Sequence, residues 1–490
     1  MNNLLEKLKL DYLLVNSTNE YLVEYSLLKE NARFTLTGFS GSTGDALVAK
    51  NKIYLFVDGR YHTQADKEVF SNITVVKLQI GQNQDDEIKK LLEPDKVLGI
   101  VAKKVSQARL EKFEGFKIKL LKHDPINDFT ENHSQKHIKV AENKKIAIKR
   151  PIFITNLEEV TYLTGLRDFS CENSSKIWAK LYADKNEFKL FYSNAEVENF
   201  LANFKNELQV DKSSINAYDY ALISKPIHKT SPVKSMKSIK TEEEINAYKK
   251  AFEATDKVLM NVRDYINNND NLSEYDIAQR LKEEFYRNGA KTTSFKPIVA
   301  INKNSALAHY NENSKDTYLR EGDLVLIDCG GFFDSGLATD ITRVFVKGEP
   351  NSLQKKVYTQ VLKAFLNTYN ANLETGHKLD NLAHRILDES IDGFVFNHGL
   401  GHGIGINVHE APPALNKSES AKNILENNMT FTIEPGLYNS HHFGIRLENS
   451  CYKNNGKTYS FVKMGYEGKL IDFNLLTEQE KIWLKEFEIL

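Results

Sequence analysis

The sequence is poor in the features that mark several common classes of protein. Of its 490 residues only 3 are cysteine, and they are far apart, at Cys171, Cys329 and Cys451. At least one thiol is unpaired within a monomer, which favours a reducing compartment over a disulfide framework. No apolar run approaches the roughly 18 residues that a membrane-spanning helix needs. The first residues also lack the uninterrupted apolar core of a secretory signal. We therefore expect a cytoplasmic protein with no membrane partner.

An excess of charge of either sign is also missing. The formal net charge is −1, whereas binding of nucleic acid or of an anionic membrane needs a basic surface. We therefore expect no nucleic-acid partner. The hydrophobic content of 41% and the charged content of 27% are typical of a globular protein. Because the chain is longer than a single core usually allows, two to three domains are expected.

Four well-known site motifs are absent. The sequence has no HExxH, no CxxC pair and no C2H2 spacing, so a zinc ion held mainly by one helix is not expected. The segment Leu36–Asp45 (LTGFSGSTGD) is rich in glycine and hydroxyl groups but lacks the GxxxxGK[ST] pattern of a phosphate-binding loop. We expect this segment to be a loop between strands.

Patterns along the first half of the chain predict two α/β domains. Short β-rich runs at 11–15, 46–50 and 53–57 are predicted strands. The later runs WAKLYA and FKLFYS predict a β-hairpin across residues 185–187. Residues 139–149 (KVAENKKIAIK) are predicted to form a helix, as are residues 157–166.

Two polar stretches are predicted to separate the domains. They are residues 124–135 and the segment 224–238, which is rich in proline and lysine. We therefore predict an N-terminal domain at 1–127, a second domain at 128–231 and a third at 232–490.

The third domain begins with strong helix signals. Thr241 with Glu244, and Ser273 with Asp276, each have the spacing of a capping box before a long amphipathic helix. Further along, Asp323–Asp328 and 341–346 are predicted strands that pair as a hairpin. That pairing would bring Asp328 close to Asp340.

Acidic residues and one histidine recur in five short motifs of the third domain, as expected of a metal site. Taken singly, each could be a turn residue, a cap or an ordinary buried histidine. Four carboxylates together would balance the charge of two divalent cations and leave a bound water able to ionise near neutral pH. An oxygen-rich set with one imidazole favours Mn²⁺, with Zn²⁺ or Co²⁺ as alternatives. The candidate ligands are Asp328 in LIDCGG, Asp340 in ATDITR, His402 in NHGLGHGIG, Glu434 in FTIEPG and Glu448 in GIRLEN.

Four other residues are candidates for the chemistry around such ions. His309, His398 and His409 could move protons or hold a carbonyl oxygen, the alternative being a supporting hydrogen bond. Arg446 stands two residues before Glu448 and could orient a ligating carboxylate.

At these motifs the chain resembles the pita-bread metallopeptidases, and among them the three-domain cytosolic Xaa-Pro aminopeptidases. The segments NKNSALAHY, HGLGHGIGINVHE and TIEPGLY carry the likeness in the third domain. LFVDGRYHTQA and LEEVTYLTGLR extend it into the first two domains. The interval between Asp328 and Asp340 is one residue longer than in the family's motif, and the hairpin loop is expected to absorb the difference.

The resemblance implies α/β N-terminal and middle domains of creatinase N-terminal type, followed by an α+β pita-bread catalytic domain. It also implies two divalent metal ions, with proline-containing peptides as substrates and a homodimer as a candidate assembly. The enzyme would remove the N-terminal residue when proline is second, by attack of a hydroxide bridging the two ions. In that scheme the histidines contact the substrate and the transition state, and Glu434 also shuttles a proton. The metal ligands would be Asp328, Asp340, His402, Glu434 and Glu448, and the catalytic residues His309, His398, His409 and Glu434.

Two alternatives stay open. A prolidase needs the same ligands but acts on Xaa-Pro dipeptides and usually has one upstream domain. A catalytically dead pita-bread module would bind peptides without cleaving them, but such modules typically lack some of the ligands.

Overall fold

In the computed structural model the chain divides into two units. The first consists of residues 1–135, 142–165 and 177–233, and the second of 136–141, 166–176 and 234–490. The structure describes all residues except 25, 80, 130–132, 134, 135, 147, 389, 390 and 392. Among the described residues, every helix is either too short or too polar to cross a membrane. The predicted division into three domains stays a prediction.

The beginning of the first unit is built on a six-stranded mixed sheet. The strand order is β4-β3-β2-β1-β5-β6. β2 is antiparallel to both β1 and β3, whereas the pairs β3–β4, β1–β5 and β5–β6 are parallel. Leu13, Leu47 and Phe56 lie in its buried faces. All three strands predicted here are confirmed. The strands are β1 (Tyr12–Val15), β2 (Ala46–Ala49), β3 (Lys52–Val57), β4 (Ile73–Lys77), β5 (Val97–Val101) and β6 (Lys117–Leu121). The helices are α1 (Asn2–Leu8), α2 (Ala32–Thr37), α3 (His62–Glu68), α4 (Gln84–Lys89) and α5 (Gln107–Glu111).

A second, five-stranded sheet follows in the same unit. Its order is β11-β10-β8-β12-β13, and the predicted hairpin is the antiparallel pair β10–β11. The strands are β8 (Ile152–Ile154), β10 (Lys180–Ala183), β11 (Phe188–Phe191), β12 (Glu207–Val210) and β13 (Lys225–His228). The helices are α6 (Leu157–Thr164), α7 (Asn194–Asn203) and α8 (Ala217–Ala221).

The helix predicted at 139–149 is wrong. Ile138–Lys139 form strand β7, which pairs with β9 (Leu166–Arg167), and the other described residues up to Arg150 are in neither helix nor strand. The apolar residues of the run fall in two short groups, at 140–141 and 146–148, and lack the i, i+3, i+4 repeat of an amphipathic helix. The polar stretch predicted as a linker at 124–135 lies partly outside the described residues.

The second unit combines long helices with small antiparallel sheets. Its helices are α9 (Val233–Ser238), which begins at the boundary residue, α10 (Glu242–Asn268), α11 (Glu274–Arg287), α12 (Ser352–Asn370), α13 (Gly376–Asp388) and α14 (Glu478–Leu484). Its longer strands are β15 (Ile298–Ile301), β16 (Leu324–Cys329), β18 (Ile341–Val346), β21 (Thr430–Ile433), β24 (Asn449–Asn454) and β25 (Lys457–Ser460). Its shorter strands, besides β7 and β9, are β14 (Thr292–Thr293), β17 (Gly331–Phe332), β19 (Gly401–His402), β20 (Ala414–Leu415), β22 (Gly436–Tyr438) and β23 (Gly444–Arg446).

Helix α12 lies in the main hydrophobic core of this unit. Its residues Val361, Leu362 and Phe365 are fully buried in one cluster with Leu326 of β16 and Ile445 of β23. Two three-stranded sheets, β15-β16-β18 and β21-β24-β25, stand beside this core. The strands that carry the candidate ligands are therefore fixed by packing on one side.

The two predicted capping boxes are confirmed. The Thr241 side chain accepts from the Glu244 backbone N–H at 3.3 Å, and the Glu244 carboxylate accepts from the Thr241 N–H at 2.8 Å. Ser273 and Asp276 make the same reciprocal pair at the start of α11. The predicted hairpin of β16 and β18 is confirmed as well.

The cap of α10 should contribute measurably to stability. Thr241→Ala removes the oxygen that accepts from the first turn, and we expect it to lower the free energy of unfolding by about 1 kcal/mol. Thr241→Ser keeps that oxygen and should retain most of the stability. Urea unfolding followed by circular dichroism measures both variants. Equal losses in Ala and Ser would contradict a role for the cap.

Candidate metal centre

The β16–β18 hairpin places the two aspartates. Asp328 pairs with Thr342 and Cys329 with Ile341, so Asp340 directly precedes the paired part of β18. Between the strands, Phe332 bridges to Ala338, which closes the turn from 333 to 337. A Cβ at Gly330 would lie 1.7 Å from the Thr339 carbonyl oxygen, so only glycine allows the hairpin to close this tightly.

His402 and Glu434 come from neighbouring backbone segments. The Glu434 N–H donates to the Leu400 carbonyl at 2.8 Å, and Gly403 bridges to Phe431. His402 Nε2 lies 3.6 Å from Asp340 Oδ2 and 3.6 Å from Glu434 Oε1. Nδ1 of the same ring lies 3.0 Å from the Gly403 carbonyl oxygen. With the proton of Nδ1 donated to that carbonyl, Nε2 is the nitrogen that is left to bind a cation.

Glu448 completes the cluster from the segment between β23 and β24. Asp340, His402 and Glu448 each offer a ligand atom, and these atoms lie within 4.8 Å of one another. The Thr342 hydroxyl donates to Glu448 Oε2 at 2.8 Å and thereby orients the carboxylate. Among the described residues, the buried atoms Glu448 Oε1 and Asp328 Oδ1 have no hydrogen-bond partner. Buried carboxylate oxygens of this kind suit a cation.

Arg446 connects Asp328 to the rest of the cluster. Its guanidinium donates to Asp328 Oδ2 at 2.6 Å and to Tyr438 Oη at 2.8 Å, and it lies 4.0 Å from Glu434 Oε2. Arg446 therefore orients a carboxylate, as its position in the sequence suggested, but the carboxylate is that of Asp328. Tyr438 Oη is also 2.8 Å from His398 Nε2. A continuous chain of polar contacts thus joins Asp328 to His398.

Burial and like charges shape the electrostatics of the cluster. Burial raises the pKa of Asp340 well above its usual range, and the charges of Glu448, Asp328 and Glu434 add to the effect. Burial, followed by Glu434 and Asp328, raises the pKa of Glu448 in the same way. Such carboxylates resist ionising together unless positive charge is brought among them. This donor set fits divalent metal ions.

The three other predicted histidines stand differently in the structure. The His409 ring packs edge-on against His402, with the ring centroids 4.3 Å apart. His398 contacts Tyr438, as described above. His309 lies in the loop after β15, beside the buried Tyr310, and its role stays a prediction. The geometry thus groups Asp328, Asp340, Glu434, Glu448 and His402 with His409 and, through Tyr438, with His398.

Three supporting groups were not foreseen from the sequence. Tyr438 joins Arg446 to His398. Glu274 is fully buried and accepts from the Ile301 N–H at 2.7 Å and from the Tyr310 hydroxyl at 2.5 Å, so it holds the His309 loop. The third is Glu410, next to His409 and buried against two lysines. Apart from Arg446, which is eight positions from Tyr438, the partners are distant in the sequence, and no local pattern signals these pairs.

Comparison with known proteins identifies two domains of the chain and several full-length relatives. Residues 246–453 match metallopeptidase family M24, and residues 1–128 match the Creatinase/Prolidase N-terminal domain. A probable Xaa-Pro aminopeptidase P from Laccaria bicolor is 27% identical over 99% of this chain and 88% of its own length. A Xaa-Pro dipeptidase from Pyrococcus horikoshii is 36% identical, but over 44% of this chain and 60% of its own length.

A solved structure has the same fold over nearly the whole chain. It is the X-prolyl aminopeptidase from Caenorhabditis elegans, described as a cytosolic enzyme with a di-nuclear active site. The TM-score is 0.86 at 21% identity, over 97% of this chain and 90% of that one. The chain therefore carries a domain that matches metallopeptidase family M24 at residues 246–453, after a creatinase-type N-terminal domain at residues 1–128, and its fold is that of the X-prolyl aminopeptidase structure. The predicted fold class is confirmed.

The raised pKa values predict how the stability of the metal-free protein depends on pH. A carboxylate whose folded pKa is raised contributes stability below its unfolded pKa of about 4 and loses that contribution as pH rises through the folded pKa. We expect the unfolding temperature of the metal-free protein to fall as the pH rises above the unfolded pKa of about 4, because of Asp340 and Glu448. Differential scanning calorimetry measures the fall.

Two variants and a metal addition check the cause. Asp340→Asn should make the fall smaller, whereas Asp219→Asn, in a buried ion pair with Lys180 in the first unit, should leave it unchanged. Added divalent ions should raise the unfolding temperature more at the higher pH. A fall of equal size in wild type and Asp340→Asn would contradict the electrostatic assignment.

Proposed function

We propose that this metallopeptidase is a dinuclear Xaa-Pro aminopeptidase, which removes the N-terminal residue from peptides with proline in second position. The observation that carries the proposal is the convergence of Asp340, His402, Glu434 and Glu448, with contact distances of 3.6 Å at the imidazole. The likeness to Xaa-Pro aminopeptidases over almost the full chain supports the substrate class.

Five residues would hold the metal ions. They are Asp328, Asp340, His402, Glu434 and Glu448. The four carboxylates among them would balance the charge of two divalent cations. The excess of oxygen ligands favours Mn²⁺, with Zn²⁺ or Co²⁺ as alternatives. When bound, the ions supply a water of lowered pKa and polarise the scissile carbonyl.

The chain's own residues would handle the substrate and its protons. Glu434, whose side chain is 18% exposed, is accessible enough to pass a proton to the departing proline nitrogen. His409 lies against His402, where a ring N–H can donate to the carbonyl oxygen as negative charge develops. His398, held by Tyr438, would contact the proline side of the substrate, and His309 is the alternative to His409 as the donor to the oxyanion.

The ring of proline explains how a peptidase can select it. A prolyl amide has no N–H and its φ is fixed near −65°, so a rigid pocket recognises it without a backbone donor. Most peptidases need that donor or a flexible backbone, and therefore leave such bonds intact. An enzyme shaped for the ring acts on bonds that other peptidases spare.

Xaa-Pro dipeptidase is the second candidate. The relative that favours it is more identical, at 36%, but the match covers only 44% of this chain. The matches to aminopeptidases extend over 99% of the chain and include both sheets of the first unit. A catalytically dead module is disfavoured because all five ligand positions are retained. A cytosolic location and a homodimer remain predictions.

Peptide length separates the two enzymes. With metal-stripped protein and Mn²⁺ restored, we expect release of arginine from Arg-Pro-Pro and little from Arg-Pro. Chromatography of the released amino acid provides the measurement. Cleavage of the dipeptide alone would identify a prolidase, and no cleavage of either peptide despite bound metal would refute both proposals.

Substitutions should separate ligands from catalytic groups. Asp340→Asn and Glu448→Gln should lose metal and activity together, because each removes a charge that the cations need. His409→Ala should lower kcat by about 10²-fold to 10⁴-fold and leave the metal in place. Elemental analysis and peptide assays give both quantities. Full activity with unchanged metal content in Asp340→Asn would refute the ligand assignment.

A further inference from the structure

Glu410 is buried next to a candidate catalytic residue, and the proposed chemistry does not use it. Its side chain is 2% exposed. Lys237 and Lys240, at the start of the catalytic unit, each place Nζ 3.4 Å from Glu410 Oε1. Their side chains are 4% exposed. Burying a carboxylate between two lysines has a high desolvation cost, so packing alone does not explain this arrangement.

The loop around Glu410 is built on its carboxylate. Oε2 accepts from the Ile406 N–H at 2.9 Å and the Asn407 N–H at 3.3 Å. A Cβ at Gly405 would lie 1.9 Å from Oε1, so the backbone closes directly over the carboxylate. Although burial opposes ionisation, Lys237 and Lys240 lower the pKa of Glu410 below its usual range. The carboxylate is therefore a charged centre within the loop.

The same loop carries His409 to His402. The Glu410 N–H donates to the Gly403 carbonyl at 2.8 Å, next to His402 in the sequence. Asn407 donates from its side chain to the His409 carbonyl at 2.9 Å. His409 is thus held from both sides while its ring packs edge-on against His402. Two anchors define its place, the backbone of 403 and the carboxylate of Glu410.

We propose that Glu410 is a positioning residue, which together with Lys237 and Lys240 fixes the distance of the His409 ring from His402. This inference rests on the proposed function, in which His409 stabilises the developing oxyanion. The Glu410 carboxylate contacts both lysines through Oε1 and accepts from the N–H groups of 406 and 407 through Oε2. It therefore connects the loop to the start of the catalytic unit. An oxyanion donor must be held closely, because a misplacement of about 1 Å can cost about 100-fold in rate.

The first experiment separates positioning from stability. Glu410→Gln keeps an oxygen for the two N–H groups but removes the charge that holds the lysines. We expect kcat to fall by about 10-fold to 100-fold, with KM changed less than about threefold and the metal content unchanged. Asp219→Asn is the matched control, since it disrupts another buried lysine–carboxylate pair, in the first unit. It should lower the unfolding temperature without lowering kcat.

A double-mutant cycle shows whether Glu410 acts through His409. Added to His409→Ala, Glu410→Gln should change kcat less than about twofold, because the group that it positions is gone. An equal fall in the wild-type and His409→Ala backgrounds would overturn the proposal. A loss of metal in Glu410→Gln would overturn it too, since the residue would then act on the ligands.

A readout independent of activity keeps this test apart from the test of function. Acylation of histidines by diethylpyrocarbonate in the metal-free protein, followed by peptide mass spectrometry, reports how His409 is held. Glu410→Gln should raise the acylation rate of His409 relative to His123, whose side chain is 74% exposed. An unchanged ratio would overturn the positioning role. Wild-type protein inactive on Xaa-Pro peptides would refute the proposed function, while the acylation ratio would still decide the role of Glu410.

Discussion

Mutual repulsion among the clustered carboxylates is the constraint that the catalytic unit has to satisfy. Asp340 and Glu448 are 4% and 1% exposed, and burial raises the pKa of each. The charges of Asp328 and Glu434 raise both pKa values further. In a folded chain such groups are either protonated or compensated by positive charge. The protein supplies part of that charge permanently, through the Arg446 guanidinium on Asp328. The negative charge that Arg446 does not compensate makes the cluster a site for cations.

The scaffold holds these charges through the register of its strands and through buried side chains. The strands β16, β18, β23 and β24 supply or flank the ligands, and their other faces pack against α12 in the apolar core. The hydroxyl of Thr342 donates to Glu448 and accepts from Arg446. One small side chain therefore contacts both a candidate ligand and the arginine that pairs with Asp328. Ligand positions are therefore determined by strand register, and register is hard to change once one face is buried.

The sequence predicted what depends on local signals. The hairpin of β16 and β18, the caps of α10 and α11 and the motifs around the ligands all follow from neighbours within a few residues. The environment of Glu410 depends on lysines about 170 positions earlier, and that of Tyr310 on Glu274 in another element. No periodicity encodes such pairs. The helix predicted at 139–149 is wrong for a different reason, because its apolar residues lack the spacing of a helix face, and only Lys139 of that run is in a strand, β7.

The contacts of Arg343, in strand β18, have a consequence for the order in which the site can form during synthesis. Its fully buried guanidinium donates to the carbonyl oxygens of Glu448, Met464 and Gly465 and to the side chain of Asn449. These acceptors lie more than 100 positions downstream of Arg343. During translation the hairpin of β16 and β18 therefore cannot make these contacts until the residues up to 465 have left the ribosome. A nascent chain that still lacks residues 448 to 465 therefore lacks both the last candidate ligand, Glu448, and the acceptors that hold Arg343 in place.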